Sequence, residues 1–220
     1  MSTIALLVYV HVLLMVFWIG TDLGVFIAGL RFMDPNRPIA ERAAVIDLGM
    51  VIDRYPRVCY VAIFPVGLQL AHSLGVMPAL TARWVALGWV LGALWLLTVI
   101  AAMLKHGTAA ALRWQRLEHV FRIAAILVFG ALAVAVWLGR VQAPGWLAGK
   151  FLGYAAISVA AMMLERAFGP VAATFGEIAS AGSTAARETA LRAQMIRSYA
   201  WVLAIYAGVL VCGFLGSVKP

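Results

Sequence analysis

The chain has 220 residues, 65% of them hydrophobic and only 12% charged, with a mean hydropathy of +0.98. A soluble domain of this size is roughly half apolar and about a quarter charged, and so small a globule still exposes much of its surface, so a water-soluble fold is excluded. The net charge of +8 sits in short connections between long apolar runs, which argues against nucleic acid as a partner.

A membrane-spanning helix needs about 20 mostly apolar residues, and six stretches qualify. The expectation is an all-α integral membrane bundle of about six transmembrane helices, a single domain over residues 1–220, with amphipathic inward-facing connections. The first span runs from Ile4 to Leu30. It lacks a basic leader and a small-residue cleavage site and is too long for a signal-peptide core, so it is expected to be retained. His11, Met15, Trp18 and Asp22 fall on one face of it. Next, Ile39, Ala43, Ile46 and Met50 recur at helical spacing between Glu41, Arg42, Asp47 and Asp53, the pattern of a surface helix or an inward extension of the next span.

The second span runs from Arg57 to Leu74. Pro56 suits a first helical turn, and Pro65 should kink the helix and free one carbonyl. His72 lies near its far end, on the same face as Gln69. A short connection, Gly75 to Ala82, leads to the third span, Arg83 to Leu104, which ends at Lys105 and His106. The fourth, His119 to Gly139, opens just after Glu118. Beyond the Pro144-Gly145 turn the fifth runs from Trp146 to Arg166, with Lys150 in its first turn and Tyr154 one turn deeper. Residues 169–194, rich in Ala, Ser and Thr and broken by Pro170 and Gly182, suggest a surface loop with a short helix. The sixth span runs from Ser198 to Gly216. Cys59 and Cys212 lack CxxC spacing and are expected as free thiols.

Of the 17 basic residues, 13 fall in the first, third and fifth connections and their flanks. Positively charged loops stay in the cytoplasm, so both termini are expected outside a bacterial-type cytoplasmic (inner) membrane. Anionic lipid is the expected partner of the arginines.

An ionisable side chain inside a span costs roughly 2.5–3.5 kcal/mol on insertion scales, so each is a functional candidate. This topology puts His11, His72, Gln69, Lys150 and Tyr154 in the outer half and Asp22 in the inner half. Plainer roles are open to each: an interhelical hydrogen bond for His11, an ion pair with an inward arginine for Asp22, snorkelling to the headgroups for Lys150. His106 and His119 form a second pair at the inward face, either solvated at the interface or, if the third and fourth helices extend further, a second candidate pair of ligands to a cofactor. Two histidines at one depth suit b-type haem, for which imidazole is a common axial ligand. Copper competes for imidazole, helped by thioethers such as Met15 or Met77. HExxH, P-loop and GxGxxG patterns are absent, which removes the commonest hydrolase and nucleotide readings.

His11, Trp18 and Gly20 in the first span, and Pro144-Gly145-Trp146-Leu147 with Lys150 opening the fifth, resemble the bacterial superfamily of copper-resistance D proteins and membrane protoporphyrinogen IX oxidases. In the oxidase branch the matching histidine is linked to haem and the matching lysine to activity, which the resemblance transfers to His11 and Lys150. The chain departs from that branch after Gly20, with Thr21-Asp22-Leu23-Gly24, and in having about six helices rather than four.

The leading expectation is a haem-b-binding membrane redox protein: an oxidase, a quinol-linked cytochrome or the membrane subunit of a redox complex, with quinone or another redox protein as partner. His11 and His72 ligate iron, with Trp18 beside them. Gln69, Tyr154 and Lys150 shape the site, and Asp22 provides a proton route. The alternatives are a copper or other small-solute permease and an assembly or anchoring subunit without cofactor.

Overall fold

The computed structural model describes residues 2–105 and 107–219, and among them the chain forms eight helices. These are α1 (Thr3–Phe32), α2 (Ile39–Ile52), α3 (Arg54–Ser73), α4 (Ala82–Leu104), α5 (Ala109–Trp137), α6 (Gly145–Phe168), α7 (Val171–Ala181) and α8 (Ala185–Val218). Five runs are long and apolar enough to cross a membrane: α1, α4, α5, α6 continued into α7, and α8. The sixth member of the bundle, α3, is less apolar because it carries Arg54, Arg57, Gln69 and His72. It is also the interior helix, buried at Cys59, Tyr60, Val61, Val66 and Ala71. Polar residues are tolerated there because protein, not lipid, surrounds them.

Consecutive spans pack as neighbours: α1 on α3, α3 on α4, α4 on α5, α5 on α6, α6 on α8, and α8 back on α1. The result is a multi-pass membrane bundle with antiparallel neighbours. Both termini lie at one end, called here the terminal face, and α2 and α7 lie at the other, the arginine-rich face. Large apolar side chains such as Leu127 and Leu210 point outward. In water that surface would be an aggregation hazard; in a bilayer it is the expected exterior.

Small residues set the close approaches. A Cβ on Gly92 would lie 2.9 Å from Pro65 Cγ, and one on Gly88 2.7 Å from Leu68 Cδ1, so the α3–α4 seam is glycine-dependent. The α6–α8 seam follows the same rule, with Leu215 over Gly149 and Ile157 over Gly208. Helix ends follow local chemistry. The Ser2, Thr108 and Thr184 hydroxyls accept the Ala5, Ala111 and Arg187 amides, and Gly75 and Gly139, both with positive φ, close α3 and α5.

One expectation is corrected and two are refined. Residues 169–194, expected mainly as a loop, are almost entirely helical, with only the 182–184 turn between α7 and α8. Gly182, at φ +86°, supplies that turn. The helices that carry the fourth and sixth spans also begin earlier than those spans, at Ala109 and Ala185, because a helix continues past the membrane after its hydropathy fades. Finally, α2 is a separate helix broken from α3 at Asp53, and it packs on α1. Beneath α2 and α7 lies a small second core of Phe32, Val171, Ile178, Leu191 and Met195. It is bolted by Arg42, whose guanidinium bonds both Glu188 carboxylate oxygens at 2.9 Å and the Phe32 carbonyl at 2.8 Å.

Candidate functional site

Two cavities lie one above the other inside the bundle. The upper one, toward the terminal face, has about 350 Å³ of free space and is bounded by α1, α3, α5, α6 and α8. His11, Trp18, Lys150 and Tyr154 all line it. Its walls are otherwise mostly apolar, among them Phe64, Phe129 and Phe151, and Lys219 joins Lys150 on its polar side. The Lys219 ammonium also lies 5.9 Å from the centre of the Trp146 ring.

His11 is the notable group. Its Nδ1 is buried and has no hydrogen-bond partner, an uncommon state for a buried polar atom. Its ring stands over Gly67 of α3, where a Cβ would lie 3.3 Å from Cε1. Met15, one turn along α1, faces Gly213 of α8. Cys212 lines the same cavity and is a free thiol, as is Cys59.

His72 and Gln69 are not part of this wall, and the expected pairing of His11 with His72 is not formed. His72 Nδ1 lies 2.6 Å from the Leu80 carbonyl in the α3–α4 connection. Gln69 accepts from the Trp89 indole at 3.2 Å and donates to Ser73 at 3.4 Å. The cause is helical rotation. Gly67 faces His11, and His72, five residues further on, is turned by about 140° at 100° per residue. That turns it and Gln69 toward α4.

Below the upper cavity an aromatic partition crosses the bundle. Tyr60 and Tyr154 stack with ring centres 5.2 Å apart, and Trp18 meets Tyr60 edge-on at 5.4 Å. Tyr154 donates its hydroxyl to the Tyr60 carbonyl at 3.0 Å. The Tyr60 hydroxyl pairs with Ser158 Oγ at 2.6 Å. Tyr154, expected as a reacting group, therefore has its proton committed to a helix–helix bond.

The lower cavity, about 240 Å³, opens toward the arginine-rich face. Trp18 and Ile157 line both cavities. Asp22 lines the lower one with Asp53, Arg57, Arg122 and Glu165. Four of these five belong to a network. Arg57 bonds Asp53 at 2.6 Å and Glu165 at 3.3 Å. Arg122 pairs with Glu165 at 2.7 Å and also with Glu118. Asp22 enters no ion pair or hydrogen bond among the described residues, so the arginine partner considered for it is not formed.

His119 also joins the network, with Nε2 3.2 Å from Glu165 and Nδ1 2.8 Å from the Gln115 carbonyl. Both its nitrogens are occupied. Its expected companion, His106, lies outside the described residues. Among the described residues no group of three or more His, Cys, Asp or Glu could hold a metal ion.

Sequence reasoning missed Lys219, the Tyr60–Ser158 pair and this ion network. Glu118 four residues before Arg122 was the available signal, since i, i+4 partners share a helix face. Comparison with protein-family models, with curated proteins and with solved structures finds no match to this chain.

Proposed function

We propose that the chain is a membrane redox protein that holds haem b in the upper cavity through His11. One observation carries this reading: two motifs far apart in sequence, His11 with Trp18 and Trp146-Leu147 with Lys150, line one cavity. These are also the positions that resemble the copper-resistance D and protoporphyrinogen IX oxidase superfamily. The residues present suit such a group. His11 offers a buried nitrogen without a partner, the aromatic walls suit an apolar macrocycle, and the Lys150 and Lys219 ammoniums suit its carboxylates. The cavity offers one imidazole rather than two, so the iron ligand from this chain is His11 alone.

Haem supplies one-electron chemistry at iron, tuned by its axial ligand and surroundings. The chain's residues orient and insulate. The aromatic partition excludes water from below, and the lysines hold charge at the mouth. A quinone or a second redox protein is the electron partner in this reading. We also propose that the arginine-rich face is cytoplasmic, in a bacterial-type inner membrane with both termini outside, because basic connections are retained on that side.

The test is an optical spectrum of detergent-purified protein, oxidised and dithionite-reduced. A Soret band that shifts on reduction, disappears in His11→Ala and persists in His72→Ala is the expected result. Protein without a chromophore, even after haem reconstitution, counts decisively against it.

A second reading, a permease for copper or another small solute, draws on a different observation: stacked cavities from opposite faces, sharing the Trp18 and Ile157 walls. Metal uptake lost in His11→Ala, with no haem spectrum, would favour it.

A further inference from the structure

The lower cavity has its own chemistry, independent of whatever occupies the upper one. Three carboxylates (Asp22, Asp53, Glu165) and two guanidiniums (Arg57, Arg122) line it. Arg122 also serves Glu118, and His119 pairs with Glu165, so the carboxyls of the network and cavity outnumber the basic side chains four to three. The carboxyl left without a partner is Asp22, because Asp53 and Glu165 are both bound to arginines. An unpaired carboxylate half-buried in a bilayer protein is costly, and a bound cation removes that cost.

The walls indicate the kind of cation. Trp18, Phe26, Tyr60 and Tyr199 contribute aromatic surface, and most of the rest is aliphatic. Hard divalent cations such as Ca²⁺ and Mg²⁺ take six or more oxygen ligands, Zn²⁺ takes about four N, O or S ligands, and one free carboxylate among apolar walls supplies neither set. An organic cation needs a single counter-charge, aromatic faces for cation–π contact and an apolar container for its body. We infer that the lower cavity is a binding site for an apolar organic cation, such as a hydrophobic ammonium or phosphonium, whose charge meets Asp22.

Equilibrium dialysis of the purified protein against tetraethylphosphonium, small enough for a cavity of about 240 Å³, tests this, with neutral triethylphosphine oxide as the uncharged comparison. Saturable phosphonium binding is expected, weakened at least tenfold in Asp22→Asn, with weaker oxide binding that Asp22→Asn leaves unchanged. No saturable phosphonium binding, equal affinity for the two probes, or undiminished phosphonium binding by Asp22→Asn would overturn the proposal. Should Asp22→Asn fail to fold, Val202→Trp fills the same cavity from α8 without touching charge. Loss of phosphonium binding in that variant supports the site, and retention overturns it. The haem reading predicts a spectrum from the upper cavity, so the two proposals fail separately.

Discussion

The two cavities share a wall but differ in how their charges are arranged. Above Trp18 and Ile157 the ionisable groups, His11, Lys150 and Lys219, stand without salt bridges among the described residues, against mostly apolar walls. Below, four of the five charged lining residues are locked into a network that joins α3, α5 and α6. Free groups are available to a ligand, and paired groups hold helices together. The contrast assigns stability to most of the lower charges and binding to the upper ones, with Asp22 as the exception below.

The largest effect should come from breaking the network at its centre. Arg122→Met leaves Glu118 and Glu165 without their shared partner, and removing one member of a buried pair costs about 3–5 kcal/mol. Thermal unfolding in detergent should show a large drop, whereas Lys150→Met should barely move it. Equal losses would erase the distinction. Next come the glycine seams: Gly92→Val drives a side chain into Pro65, and overpacking of this kind costs about 1–3 kcal/mol, measurable in the same melt.

The Arg42 bolt should respond to pH. Its guanidinium, hydrogen-bonded to Glu188, holds that carboxyl below the usual range. A carboxylate depressed on folding stabilises the fold above its unfolded pKa, and that contribution is lost as pH falls through the folded value. Wild type should therefore lose stability on acidification from neutral pH to below pH ~4, and Glu188→Gln should flatten that part of the profile. An unchanged slope would remove the bolt from the account. The smallest effect belongs to His72→Gln. It disturbs one hydrogen bond in the α3–α4 connection, worth about 1 kcal/mol, and should leave upper-cavity ligand binding as it was.

Depth in the bilayer was legible in the residues, and direction around a helix only partly so. Apolar runs located the spans because lipid demands them. The stripe His11–Met15–Trp18–Asp22 was correct as one face of α1, since that is internal geometry, and its upper members do line one cavity with Lys150. His72 was expected level with His11, but it stands five residues, about 7.5 Å of helix rise, beyond the Gly67 that faces His11, and it is turned toward α4. No periodicity within α3 says which neighbour each face meets. Glu118 was noted only as the residue before His119, and Glu165 was not singled out. Their meaning depends on Arg57 and Arg122 arriving from other parts of the chain.

One side chain on α6 carries a consequence of its own. Ile157 is almost fully buried, and with Trp18 it separates two chambers that reach toward opposite sides of the bilayer. Its bulk fills the wall beside the aromatic partition. Trimmed to alanine, that plug would thin to a methyl group, leaving the Trp18, Tyr60 and Tyr154 rings as the remaining barrier between the chambers.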